Sequence, residues 1–138
     1  MMELFQEGKF KSHAGLDMSW KIEMDSLTYD EWKCIAQMIM DFTQPFERVV
    51  GVPRGGTVLA NILNKYATDN EKDPICLVDD VMTTGGSMID FKANLPFDNV
   101  IGWVVFARGP CPYWVNALFR MPYMEDNGDI IKMLGMRN

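Results

Sequence analysis

Histidine occurs once in this 138-residue chain, cysteine three times, and no apolar run approaches the roughly 20 residues of a membrane-crossing helix. Each shortage excludes something. Cys34, Cys76 and Cys111 are odd in number, widely spaced and set in apolar surroundings, which suits reduced thiols in a cytoplasm and not a disulfide frame. No lysine follows a glycine loop in the Walker pattern, no GxGxxG run occurs and no paired-cysteine zinc spacing appears. A nucleoside triphosphatase and a structural zinc site are thereby set aside. A basic excess is also missing: 13 Lys and Arg stand against 19 Asp and Glu, a formal charge of -6, which argues against nucleic-acid binding. The polar N-terminus MMELFQEGKFKS has no secretory h-region, so a soluble, cytoplasmic protein is expected. Repeats, low-complexity tracts and long linkers are lacking too, and residues 1–138 read as a single domain. A hydrophobic share of 48% is enough for a real core.

What is present alternates. Gly8 to Glu23 reads as a hairpin-like N-terminal piece. Thr28 and Glu31 form a capping box, with Trp32, Ile35, Ala36 and Ile39 at helical spacing, so the pattern predicts a helix from about Tyr29 to Phe42, stopped by Pro45. Val49 to Val52, PRGG and TVLANILNKY read as strand, tight loop and helix. The order repeats with a strand at Ile75 to Val78, a loop at Asp79 to Gly86 and a helix from Ser87 to Ala93. Val100 to Ala107 is a third apolar strand. Strands alternating with helices predict an α/β fold with a largely parallel sheet, whose ligands bind at the carboxyl ends of the strands.

The stretch ICLVDDVMTTGGSM, Ile75 to Met88, carries the chemistry. Gly85 and Gly86 let the backbone turn and approach a ligand closely, and the following helix aims its N–H groups and dipole at an anion. Thr83, Thr84 and Ser87 add hydroxyl donors without adding charge. Asp79 and Asp80 would repel a phosphate, but they can accept hydrogen bonds from a vicinal diol or hold hydrated Mg²⁺ through water. Phosphate, diol and metal together describe a ribose 5-phosphate. A plain turn followed by an N-cap is the simpler alternative for each feature singly.

At these residues the sequence resembles the type I phosphoribosyltransferases, whose signature for phosphoribosyl pyrophosphate (PRPP) is an apolar strand, two acids and a Thr/Gly/Ser loop. The resemblance implies their fold: a largely parallel twisted sheet flanked by helices, with a small N-terminal hood, here about residues 1–27. It assigns Asp79 and Asp80 to the ribose hydroxyls as the catalytic pair, and the loop Val81, Met82, Thr83, Thr84, Gly85, Gly86 and Ser87 to the 5-phosphate. VVGVPRGG, Val49 to Gly56, looks like the family's pyrophosphate loop, with Pro53, Arg54, Gly55 and Gly56 near the leaving group. Family members often hold a cis non-proline peptide there. GKFKSHAGLDMSW is similar to the hood of the orotate branch, through Gly8, Phe10, Ala14, Gly15, Ser19 and Trp20. On that match His13 stands over the base and Arg108 contacts it, an arginine fork suiting the orotate carboxylate. A surface histidine and a solvated strand-end arginine are the competing readings.

The implied activity is transfer of ribose 5-phosphate from PRPP to a nucleobase, an orotate-like pyrimidine favoured, with release of pyrophosphate. Mg²⁺ is the expected cofactor and a homodimer the expected assembly, with no nucleic-acid or membrane partner. One departure stands out. Between Tyr66 and Pro74 only ATDNEKD intervenes, too short and too acidic for the basic lid that such enzymes close over the site. A catalytically impaired protein that binds PRPP or a nucleotide for regulation is therefore the alternative. ARGPCPYWVNALFRM, Ala107 to Met121, could cover the pocket through Arg108, Tyr113, Trp114 and Arg120, although Tyr113, Trp114, Ala117 and Leu118 fall at helical spacing and read as core or dimer contacts. An Asp-phosphorylated phosphatase or receiver is disfavoured, because Val81 stands where the former needs its second acid and TTGGS has no purpose in the latter.

Overall fold

The apolar runs that alternate with helical patterns do form parallel strands. The computed structural model describes residues 2–11 and 17–121. Its elements in chain order are β1 (Phe5–Lys11), β2 (Asp17–Ile22), a 3-10 turn (Met24–Ser26), α1 (Tyr29–Met40), β3 (Val49–Gly51), α2 (Thr57–Leu63), β4 (Ile75–Met82), α3 (Gly86–Ala93), β5 (Val100–Ala107) and β6 (Val115–Arg120). β1 and β2 pair as an antiparallel hairpin with a bulge between Glu7 and Phe10. The other four strands make one sheet, all parallel, in the order β3-β4-β5-β6.

Burial on both faces explains the unbroken apolar strands. Along β4 the side chains alternate: Cys76 and Val78 join a core beneath α1 and α2, with Trp32, Ile39, Leu59 and Leu63, while Ile75 and Leu77 join a core beneath α3 with Met88, Val104 and Val115. Central β5 is buried along its whole length. At the start of α1 the capping box closes, with the Glu31 amide donating to Thr28 Oγ1 at 3.1 Å and the Thr28 amide to Glu31 Oε1 at 2.9 Å.

Three expectations are corrected. α1 ends at Met40, not Phe42, because the chain tightens there and the Phe42 amide donates to Ile39 O at 3.0 Å. β4 runs on to Met82, since β5 pairs with it as far as Met82 opposite Ala107, and α3 starts at Gly86. Asp79 and Asp80 are therefore strand residues, not loop residues. Finally, the helical spacing after Ala107 is deceptive. Pro110 and Pro112 lack the amide donors a helix needs, residues 108–114 cross the sheet without one, and 115–120 form β6 beside β5. Trp114 packs against the α3-side core, its ring lying where a side chain on Gly102 would be, whereas Tyr113 is 99% exposed and belongs to no core.

Candidate functional site

The carboxyl ends of β3, β4 and β5 open into a cleft of about 1190 Å³, roofed on one side by the hairpin. Pro53, Arg54, Gly55, Asp79, Asp80, Val81, Met82, Thr83, Thr84, Gly85, Gly86, Ser87 and Arg108 all line it. Every anticipated site residue among the described ones reaches this cleft except Gly56, which is buried behind it. His13 lies outside the described residues.

The loop after β3 is clamped onto β4. The Val52 amide donates to Val78 O at 2.8 Å and the Gly56 amide to Val52 O at 2.8 Å. Gly56 backs directly onto the Val78 carbonyl, so no Cβ could be placed there. A Cβ on Gly55 would lie 2.5 Å from the Asp80 carboxylate. Glycine is required because two chain segments touch, and the consequence is that the loop backbone and the second acid share one wall. The Pro53–Arg54 peptide is cis. Thr57 closes the turn, its hydroxyl donating to Arg54 O at 2.8 Å, and the Arg54 side chain is exposed to the cleft.

The two acids differ. Asp79 is only 8% exposed, and its Oδ1 accepts the Asp80 amide at 2.8 Å. Burial first, and the neighbouring Asp80 charge second, push its carboxyl up to about 8, against the pull of that amide bond. Half-buried Asp80 accepts the Val81 amide at 2.6 Å. Burial thus favours the protonated form of Asp79, and the two adjacent carboxyls together offer hydrogen-bonding partners that fit a diol.

Beyond Met82 the chain turns through Gly85, whose φ of 84° is left-handed backbone natural to glycine, into α3. Thr84 Oγ1 accepts the Gly86 amide at 3.3 Å. Thr84 and Ser87 are exposed at the mouth and Gly85 is buried. Across the loop, Gly109 sits against the Thr83 carbonyl and the Arg108 amide donates to Met82 O at 2.8 Å, which fixes the end of β5 beside the cradle. The Arg108 guanidinium stacks over Trp20 of β2 with its carbon 3.5 Å from the ring centroid. Desolvation lowers its pKa from the usual arginine value.

Besides Phe10 of the hood pattern, the hairpin contributes two lysines that no motif announces. Phe10, Lys11 and Lys21 line the cleft, with Lys21 Nζ 3.0 Å from Glu23 and 4.8 Å from the Phe10 ring centroid. Only pairing of β1 with β2 brings them there, so sequence spacing held no signal for their role. Tyr113, Trp114 and Arg120 do not line it; Arg120 Nη1 instead reaches Cys111 Sγ at 3.8 Å. The connection from α2 to β4 lies at the opposite end of the sheet, where Thr68 and Asp69 amides donate to Phe46 and Glu47 carbonyls at 2.9 and 3.0 Å. A second depression, of about 520 Å³ between Phe42, Thr43, Gln44, Trp103 and β6, is lined by no ionisable side chain.

Among the described residues no group of three or more His, Cys, Asp or Glu could hold a metal ion. The adjacent carboxyls of Asp79 and Asp80 fit a hydrated cation carried in on a phosphate ligand, not a protein cage. Burial pushes the Cys76 thiol up to about 12, so it is inert packing. No helix among the described residues is long and apolar enough to cross a membrane.

No protein-family model and no curated protein matches the sequence. Solved structures do match. The orotate phosphoribosyltransferase of Aeropyrum pernix superposes with a TM-score of 0.66 at 19% identity, over 96% of this chain and 93% of that one. The Mycobacterium tuberculosis orotate phosphoribosyltransferase, in complex with inorganic phosphate, gives 0.59 at 13% identity over 83% and 86% of the two chains. That of Francisella tularensis gives 0.55 at 14% identity over 85% and 80%. With the four-stranded parallel sheet, the flanking helices and the N-terminal hairpin, the chain has the type I phosphoribosyltransferase fold.

Proposed function

We propose that the cleft binds PRPP and transfers its ribose 5-phosphate to a nucleobase, an orotate-like pyrimidine, with release of pyrophosphate. The observation that carries this reading is the contact between Gly55 and the Asp80 carboxylate. It sets a loop fit for a diphosphate against acids fit for a diol, next to a cradle fit for a monophosphate, in the order in which PRPP carries those groups.

In this reading Thr83, Thr84, Gly85, Gly86 and Ser87 hold the 5-phosphate through hydroxyls and amides, and Asp79 and Asp80 hold the ribose hydroxyls. Arg54 and the Pro53 to Gly56 backbone face the pyrophosphate. Arg108 pairs the base carboxylate. Mg²⁺, brought in on the substrate, supplies charge neutralisation at the leaving oxygens. The protein's own work is positioning: the base nitrogen is lined up opposite the leaving oxygen at C1, and the Asp80 carboxylate stands beside the positive charge that develops on the ribose. A homodimer is the proposed assembly.

The position of the α2–β4 connection at the far end of the sheet favours a second reading, binding without turnover, because nothing from that segment closes the cleft. Calorimetry of PRPP with and without Mg²⁺, followed by pyrophosphate release on adding orotate, uracil or purine bases, separates the two. Binding with release for one base establishes a transferase and names its acceptor. Binding without release establishes the regulatory role, and absence of binding defeats both.

A further inference from the structure

Arg108 is held from both the phosphate cradle and the hood. Its backbone amide is bonded to Met82 O at 2.8 Å, the following Gly109 is wedged against Thr83, and the guanidinium carbon stands 3.5 Å over the Trp20 ring. Trp20 is itself fixed by the register of the hairpin, opposite Glu7. The backbone of Arg108 thus belongs to the phosphate cradle, while its side chain is oriented by a different element.

A guanidinium carries its donors in the plane of the group, so an indole on its flat face directs them sideways, where they match two oxygens of a planar anion. We infer that Trp20 is a positioning residue for Arg108, turning its fork toward a carboxylate on the base, so that the hairpin selects acidic over neutral pyrimidines. The inference rests on reading the cleft as a phosphoribosyltransferase site.

Trp20→Ala, Trp20→Phe and the wild type are compared in PRPP affinity and in KM and kcat for orotate and for uracil, the same ring without the carboxylate. The expected result for Trp20→Ala is a rise in the orotate KM of roughly tenfold, the scale of a partly desolvated cation–π contact. PRPP affinity, kcat at saturation and the uracil parameters stay within about twofold, and Trp20→Phe recovers most of the orotate loss. Equal losses for orotate, uracil and PRPP would reduce Trp20 to a structural prop of the hairpin and overturn the inference, as would an unchanged orotate KM. Should the wild type bind no PRPP, the proposed function falls, and direct titration of orotate against uracil, read by tryptophan fluorescence, still decides the clamp. A wild-type preference for orotate that Trp20→Ala abolishes supports it, and equal affinities sink it.

Discussion

The two ends of the parallel sheet are finished in opposite ways. At the amino end side chains and turns tie neighbouring segments together through hydrogen bonds. Asn64 reaches back from the end of α2 so that its Oδ1 accepts the Val49 amide at 2.8 Å and its Nδ2 donates to Val49 O at 3.0 Å, covering the outer edge of β3 as another strand would. Thr68, Asp69 and Glu47 stitch the neighbouring turns to Phe46, Glu47 and Pro74, and Trp103 Nε1 donates to Thr43 Oγ1 at 3.0 Å. At the carboxyl end two carboxyls stand side by side, one of them buried, and Gly55 lies against the other. The amino end is arranged for stability, whereas the carboxyl end carries a buried acid whose burial costs stability.

That contrast predicts that changes at the carboxyl end cost binding while sparing or raising stability, and that changes at the amino end do the reverse. The largest effect belongs to Gly55→Val. Its Cβ would meet the Asp80 carboxylate at 2.5 Å, so the loop or the acid must move; PRPP affinity by calorimetry should fall at least about a hundredfold. Asp80→Asn comes next. If the Asp80 charge stabilises the ribosyl cation, kcat falls about a hundredfold while PRPP affinity changes far less, and equal losses in both would remove that role.

Asp79 tests the stability side of the same end. Its carboxyl is raised to about 8 in the fold from 3.8, so the folded state keeps a proton that the unfolded chain sheds. Its contribution is then full below about pH 4 and is lost as pH rises toward 8. Asp79→Asn should leave stability near pH 4 unchanged, raise it progressively as pH climbs toward 8, and flatten the pH profile of urea unfolding, while PRPP binding is lost. A profile that keeps the wild-type slope would mean that Asp79 is not the buried acid responsible.

The smallest effect belongs to the amino end. Asn64→Ala deletes both bonds to Val49 and leaves those part-buried groups unpaired, which should lower stability by about 1 to 2 kcal/mol in urea unfolding. PRPP affinity should stay within about twofold, and a large loss would show that the two ends are not independent.

How much of this was legible in advance depends on how local the cause is. The β5 span from Val100 to Ala107 and the Thr28–Glu31 box each rest on neighbours in sequence, and both stand where the pattern places them. β6 was missed because Tyr113, Trp114, Ala117 and Leu118 imitate a helix, a coincidence that parallel pairing with β5 overrides. Asp79 and Asp80 read as loop residues in the sequence because the apolar run stops at Val78, yet pairing with β5 carries β4 past them.

The order of residues by itself determined the α/β alternation, the glycine-and-hydroxyl cradle and the two acids at its entrance, since each follows from backbone preference and charge within one short segment. Only the tertiary structure decided that Gly55 meets Asp80, that Trp20 lies on Arg108, and that Lys11 and Lys21 face the cleft. Those contacts join segments far apart in the chain, and only packing of the sheet, its two cores and the hairpin brings them within reach.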